Sequence, residues 1–190
     1  MAEQFIASHV YEIVLVVGTE KNSSVIDWTD RNTCVLFGDG AGAVVIQNRE
    51  NSHGILATDM GADGAQTDIL SLPAHGHIQM SGKEVYRYAV GAMIESAERC
   101  LTRSGLQMDE ITCVIPHQAN LRIISSIADK LAIPLDRFHI NLDRYGNMSA
   151  ACIPVALHEA SQNGRIKAGD HLLLVAFGGG LTWASAVLEW

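Results

Sequence analysis

No stretch of this sequence approaches the roughly 18 consecutive apolar residues that a membrane-spanning helix needs. The longest early apolar run, Ile13 to Val17, has only the length of a strand. The N-terminus has no basic segment followed by an apolar one, so nothing there reads as a secretory leader. Basic residues are in deficit, with 13 Lys and Arg against 21 Asp and Glu and a formal net charge of −8. That balance argues against a general nucleic-acid binder, though not against a local basic patch. Cysteine is scarce as well. Cys34, Cys100, Cys113 and Cys152 show no C-x-x-C spacing and no paired histidines at zinc-finger spacing. Reduced, mostly buried thiols are expected rather than a metal site. These absences lead to the expectation of a cytoplasmic protein without a metal, a membrane anchor or a nucleic-acid partner.

What is present suits an α/β protein. The 190 residues allow one large domain or two small halves. A hydrophobic content of 48% and 17 glycines fit packed layers joined by tight turns. Ala2 to Ser8 reads as the tail of a helix, and Glu12 to Thr19 as a strand covered on both faces. Lys21 to Thr33 is polar and loop-like. Val35-Leu36-Phe37 leads into Gly38-Asp39-Gly40-Ala41-Gly42 and a strand over Ala43 to Ile46. The glycine cluster looks like a dinucleotide fingerprint, but that motif requires a helix after the glycines. A β-branched run follows here instead, so a tight turn at a close backbone approach is expected.

His53 to Ala57 reads as a short strand and Asp59 to His77 as loop. A helix is predicted from about Lys83 to Ser104, with Val85, Tyr88, Ala89, Ala92, Met93, Ala97 and Leu101 on one face and Gly105 as its cap. The apolar run Ile111 to Ile115 is a strand. The next helix places Leu121, Ile124, Ile127, Ala128 and Leu131 on one face. Phe138 to Leu142 reads as a strand, and Ser149 to about Asn163 as a helix with Pro154 in its first turns and Gly164 as its stop. Strands over His171 to Phe177 and Thr182 to Glu189 flank the turn Gly178 to Gly180.

The order helix, strand, glycine turn, strand occurs over residues 2 to 46 and again over 149 to 189. This weak repeat suggests two similar halves, divided as 1–80 and 81–190. His117 and Asn147 both fall just before a predicted helix. Such points leave crevices and free backbone N–H groups, where α/β proteins place ligand chemistry. The two are expected to share one active site.

Four segments, in this order and spacing, carry a family resemblance: Phe37-Gly38-Asp39-Gly40-Ala41-Gly42-Ala43, Pro116-His117-Gln118-Ala119-Asn120-Leu121-Arg122, Tyr145-Gly146-Asn147-Met148-Ser149-Ala150-Ala151 and Ala176-Phe177-Gly178-Gly179-Gly180. Together they resemble the C-terminal portion of the 3-oxoacyl-[acyl-carrier-protein] synthase III family, over essentially the whole chain. The resemblance implies a thiolase-like fold of duplicated βαβαβ-type halves, the N-terminal one truncated here, and a homodimer. It implies an acyltransferase that joins an acyl-CoA, usually acetyl-CoA, to malonyl-acyl-carrier-protein with loss of CO2 at the start of fatty acid synthesis. CoA and phosphopantetheine thioesters would be substrates, with no cofactor. His117 and Asn147 would be the catalytic hydrogen-bond donors, Phe177 would line the site and Gly179 would serve its oxyanion hole. Gly82 and Asn120 would lie along the pantetheine tunnel, Arg31 would pack on the CoA adenine, and Arg122 would dock the carrier protein.

The family nucleophile is a cysteine in an Ala-Cys-x-Gly-type motif, which these residues do not contain. Ser149-Ala150-Ala151-Cys152 imitates it but is followed by Ile153-Pro154 rather than glycine, so Cys152 is rejected as nucleophile. Three readings follow: a synthase complete only with the cysteine segment, a partial enzyme limited to decarboxylating malonyl thioesters, or a non-catalytic thioester-binding subunit. A shortened first half is expected to expose apolar sheet surface along Val14 to Val17.

Overall fold

The structure, a computed structural model, describes residues 1–48 and 54–190. Helix α1 (Ala2–Ala7) leads into β1 (Ile13–Glu20), which pairs antiparallel with β2 (Gly40–Gln47). Leu15 stands opposite Val45 and Gly18 opposite Gly42. Side chains alternate between the two faces. One face rests on residues 148–155, and the glycines explain how closely. A Cβ on Gly18 would intrude on the Ala150 carbonyl, and one on Gly42 would lie 2.8 Å from Pro154. The glycine cluster therefore serves a close approach, as expected, but Gly40 to Gly42 lie inside a strand rather than in a turn. The other face is bare: Leu15 is 61% exposed and Val45 65%. The expected strand exists, but its coverage on both faces does not.

β3 (Ile55–Ala62) follows; His53, the first residue of the strand expected there, lies outside the described residues. The expected loop over 59–77 thus begins inside a strand. It continues as a 3-10 turn over Gly64–Ile69 and the short pair β4 (Leu70–Ser71) and β5 (Gln79–Met80). Helix α2 (Gly82–Ser104) has nearly its predicted bounds and ends on Gly105 in the left-handed region, at φ 77°. β6 (Cys113–Pro116) starts two residues later than its apolar run. In α3 (Leu121–Leu131) the inward face is Ile123, Ile124, Ile127, Ala128 and Leu131. Leu121, expected on that face, is half exposed, because one turn back from Ile127 and Ala128 falls on Ile123 and Ile124.

The strand expected over Phe138 to Leu142 does not form. Phe138 makes one parallel bridge to Val114, and the chain then turns into the short helix α4 (Leu142–Tyr145). The side chain of Gln118 accepts from the Asn141 amide at 3.0 Å, taking the place of a neighbouring strand. A 3-10 turn over Ser149–Ala151 opens α5 (Cys152–Gln162). β7 (His171–Gly178) and β8 (Thr182–Glu189) close the chain.

β3, β8, β7 and β6 form a four-stranded sheet in that order, with only the β6–β7 pairing parallel. Helices α2 and α3 cover one face through Met93, Ile124 and Ile127 against Leu173, Val175 and Val187. Each such side chain stabilises the fold by about 1.5–3 kcal/mol on burial. The other face packs on α5 through Ile115 and Leu172 against Ala156, Leu157 and Ala160. Because β1 and β2 also lie against α5 and the turn before it, this helix sits between two sheets. The repeat reappears as two antiparallel strand pairs, each preceded by a helix. A division at residue 80, however, separates β3 from its partner β8. We propose instead that the two units meet between β2 and β3.

Candidate active site

His117 follows β6 directly. Its amide donates to the Val175 carbonyl of β7 at 2.8 Å, so the ladder holds its backbone. The residue is buried, and its side chain faces a cavity of about 1520 Å³. Phe177 of β7 meets the His117 ring edge-on, with centroids 5.6 Å apart. Burial alone drives the His117 pKa down, from 6.5 to about 4. The imidazole is therefore neutral at pH 7 and carries one N–H. A helix N-terminus directly after His117 would also hold the ring neutral. The structure supplies desolvation instead, since α3 begins only at Leu121 and is capped by Asn120, whose side chain accepts from the Arg122 amide at 2.8 Å.

Asn147 is positioned by the segment that leads into β2, through an isolated parallel bridge to Phe37. Its amide donates to Leu36 O at 2.8 Å, and its carbonyl accepts from the Gly38 amide at 2.9 Å. Gly146, at φ 68°, permits the turn. Gly38 has no room for a Cβ beside the Tyr145 carbonyl. The Asn147 side-chain oxygen accepts from the Ser149 amide at 2.9 Å. That bond commits the oxygen and leaves Nδ2 as the side chain's donor group, and Asn147 lines the same cavity. The Phe37-Gly38 end of the glycine motif is thus the bracket that holds Asn147.

The cavity is also lined by Phe177, Gly179, Gly82, Asn120 and Arg122. Lys21, Lys83 and Arg122 give its wall three cations against the single carboxylate of Glu20. Arg31 stands apart: it is exposed on its loop, and its neighbour Asn32 reaches the lining. Cys152 is fully buried, accepts from the Met148 amide at 3.2 Å, and has its pKa raised by burial, which suits a structural thiol. Among the described residues no group of His, Cys, Asp or Glu could hold a metal, and no helix is long and apolar enough to cross a membrane.

Sequence reasoning missed Asn22. It is buried, and its Nδ2 donates to Gly38 O at 2.8 Å and to Asn147 O at 3.2 Å, tying the glycine motif to the asparagine turn. It sits in a polar loop with no periodicity, so only the folded chain marks it.

The geometry brings His117 and Asn147 together on a single cavity, and comparison with known proteins places the chain in a family. Residues 1–64 match the family 3-oxoacyl-[acyl-carrier-protein (ACP)] synthase III, and residues 101–190 match its C-terminal part. The chain belongs to the 3-oxoacyl-[acyl-carrier-protein] synthase III family. It is 47% identical over 204 residues to the beta-ketoacyl-[acyl-carrier-protein] synthase III of Desulfitobacterium hafniense strain Y51, covering all of this chain and 62% of that protein. The crystal structure of the synthase III from Aquifex aeolicus VF5 superposes with a TM-score of 0.98 at 48% identity, over 100% of this chain and 61% of that one. The Thermus thermophilus synthase III gives 0.95 at 43% identity, over 100% and 62%. The fold is therefore thiolase-like, and the chain spans 62% of the length of the curated synthase III relatives it matches.

Proposed function

We propose that this chain carries the malonyl-decarboxylating part of a synthase III active site. The observation that carries the proposal is the convergence of two neutral donors, His117 and Asn147, on one cavity walled by Phe177 and Gly179. A malonyl thioester bound there loses CO2 by cleavage of the bond between its α-carbon and the carboxylate. The electron pair passes to the thioester oxygen, giving an enolate. Donors held in place in a dry site stabilise that developing charge, an effect worth about 3–4 kcal/mol for a single donor. A cationic imidazole is not needed, and neutrality spares the site the cost of a buried charge.

In the whole protein, a cysteine on a segment outside these residues takes the acyl group from an acyl-CoA with release of CoA, and the enolate carbon attacks the acyl carbonyl and expels the cysteine thiolate to give a 3-oxoacyl thioester. Gly179 then offers its amide to the acyl oxyanion, and Gly82 and Asn120 flank the pantetheine arm. Arg31, exposed beside the lining residue Asn32, packs on the CoA adenine at the mouth. Arg122, with Lys21 and Lys83, attracts the acidic acyl carrier protein. The protein acts as a homodimer in the cytoplasm and needs no cofactor beyond its thioester substrates.

The test is product analysis after incubating the chain with acetyl-CoA and malonyl-acyl-carrier-protein. Mass spectrometry of the carrier is expected to show malonyl converted to acetyl, the enolate having been protonated for want of an acyl-cysteine. Malonyl-carrier that persists at its buffer rate overturns the proposal.

A further inference from the structure

The cluster behind Asn147 has no part in the chemistry above. Glu159 lies on α5 with its side chain 13% exposed. Its carboxylate accepts from Asn141 Nδ2 at 2.7 Å, from the Tyr145 hydroxyl at 2.7 Å and from the Arg144 guanidinium at 2.8 Å. Asn141 is the N-cap of α4, and Arg144 and Tyr145 are its last two residues. Gly146 and Asn147 come next. One carboxylate therefore grips both ends of the segment that delivers Asn147 to the cavity.

That segment needs the grip. A four-residue helix has no stability of its own, and α4 has no side-chain cap hydrogen bond at its N-terminus. The Asn141 amide is held by Gln118 Oε1 at 3.0 Å, and Gln118 Nε2 in turn donates to Pro116 O at 2.9 Å and His139 O at 3.1 Å. Gln118 is the residue after His117. A continuous chain of hydrogen bonds thus runs from the backbone flanking His117 through Gln118, Asn141 and Glu159 to the turn bearing Asn147.

We infer that Glu159 is a positioning residue for Asn147, setting its approach to the thioester oxygen relative to His117. A carboxylate suits this place because it only accepts, and all three neighbours donate; a glutamine presents one acceptor oxygen and turns an NH2 toward a donor. Burial pushes the Glu159 carboxyl up, but the bonds from Asn141 and Tyr145 outweigh it and leave its pKa below the ordinary value. It is ionised wherever the fold is intact near neutrality. His139, whose Nε2 lies 3.5 Å from Glu159 Oε2, is kept neutral chiefly by burial and does not compete for the charge.

The kinetic part of the inference rests on the decarboxylase reading, so the experiment carries a second readout. Wild type, Asn147→Ala, Glu159→Gln and Tyr145→Phe are compared for CO2 release from malonyl-acyl-carrier-protein and for amide hydrogen exchange. For Glu159→Gln, kcat is expected to fall roughly tenfold to a hundredfold, as a displacement of about 1 Å would produce, with KM within about twofold. Protection is expected to fall at the Gly146 and Asn147 amides and to stay unchanged at Leu173 and Val175 in β7. Tyr145→Phe, which removes one hydroxyl and no charge, gives a smaller loss of the same pattern. Unchanged kcat and unchanged protection at Gly146 and Asn147 in Glu159→Gln overturn the inference. So does protection lost evenly across the chain in both variants. If wild type releases no CO2, or Asn147→Ala matches it, the decarboxylase reading fails, and the exchange pattern alone decides whether Glu159 positions the turn.

Discussion

The ring of Phe177 stands edge-on to the ring of His117, centroids 5.6 Å apart and planes at 81°. His117 is buried, and that burial lowers its pKa to about 4. The His117 ring-proton NMR signal is therefore expected to stay flat from pH 8 to about 5.5 and to titrate near 4. An apparent pKa near the ordinary 6.5 contradicts the geometry. Stability follows in sign. Between pH 6.5 and 4 the unfolded chain binds this proton and the folded chain does not, so stability falls as the pH drops through that window. The loss attributable to His117 amounts to about 3 kcal/mol once the pH is below 4. His117→Gln removes this part of the acid dependence.

Asn22 should matter more than a loop residue normally does. Asn22→Ala leaves the Gly38 carbonyl without its side-chain donor. Denaturant unfolding is expected to show a loss of about 1–3 kcal/mol. Gly38→Ala should be worse, because its Cβ meets the Tyr145 backbone rather than a movable side chain. A Gly38→Ala protein as stable as wild type would show that the Asn147 turn is not held by this bracket.

The cations at the cavity wall predict substrate discrimination. Arg122→Glu is expected to raise KM for malonyl-acyl-carrier-protein about tenfold and to leave KM for malonyl-CoA within about threefold. The difference should shrink in high salt, as long-range attraction does. Equal effects on both substrates would place Arg122 against the shared pantetheine arm instead.

The bare face of β1 and β2 carries Ile13, Leu15, Val17 and Val45 side by side. Contiguous apolar surface of this kind drives association. Sedimentation of the 190-residue chain is expected to show concentration-dependent self-association, which Leu15→Glu combined with Val45→Lys reduces. A monomer at every concentration would contradict this.

Much of the architecture was legible because local signals agreed with tertiary demands. The apolar stripe and Gly105 marked α2, and β8 occupies Thr182–Glu189, the strand expected after the glycine turn. Where prediction failed, a distant side chain had intervened. Phe138 to Leu142 has a strand's composition, yet Gln118 takes the Asn141 amide and Glu159 draws the segment into α4. The Val14 to Val17 run reads as doubly buried because composition reports what a strand can be packed with, not what is packed on it. His117 and Asn147 were marked by motif and by their places before helices. Asn22 and Glu159 were not, since their partners lie 125 residues away in the one case and across α4 and α5 in the other.

The central claim is that His117 and Asn147 together stabilise a malonyl-derived enolate. The most direct measurement is CO2 release from malonyl-acyl-carrier-protein, with no acyl primer, by this chain and by His117→Ala and Asn147→Ala. The account predicts release by the wild-type chain, a fall of about 100- to 1000-fold in each variant, and a double variant little worse than either single one. Release that survives both substitutions, or a wild-type rate no different from buffer, contradicts it.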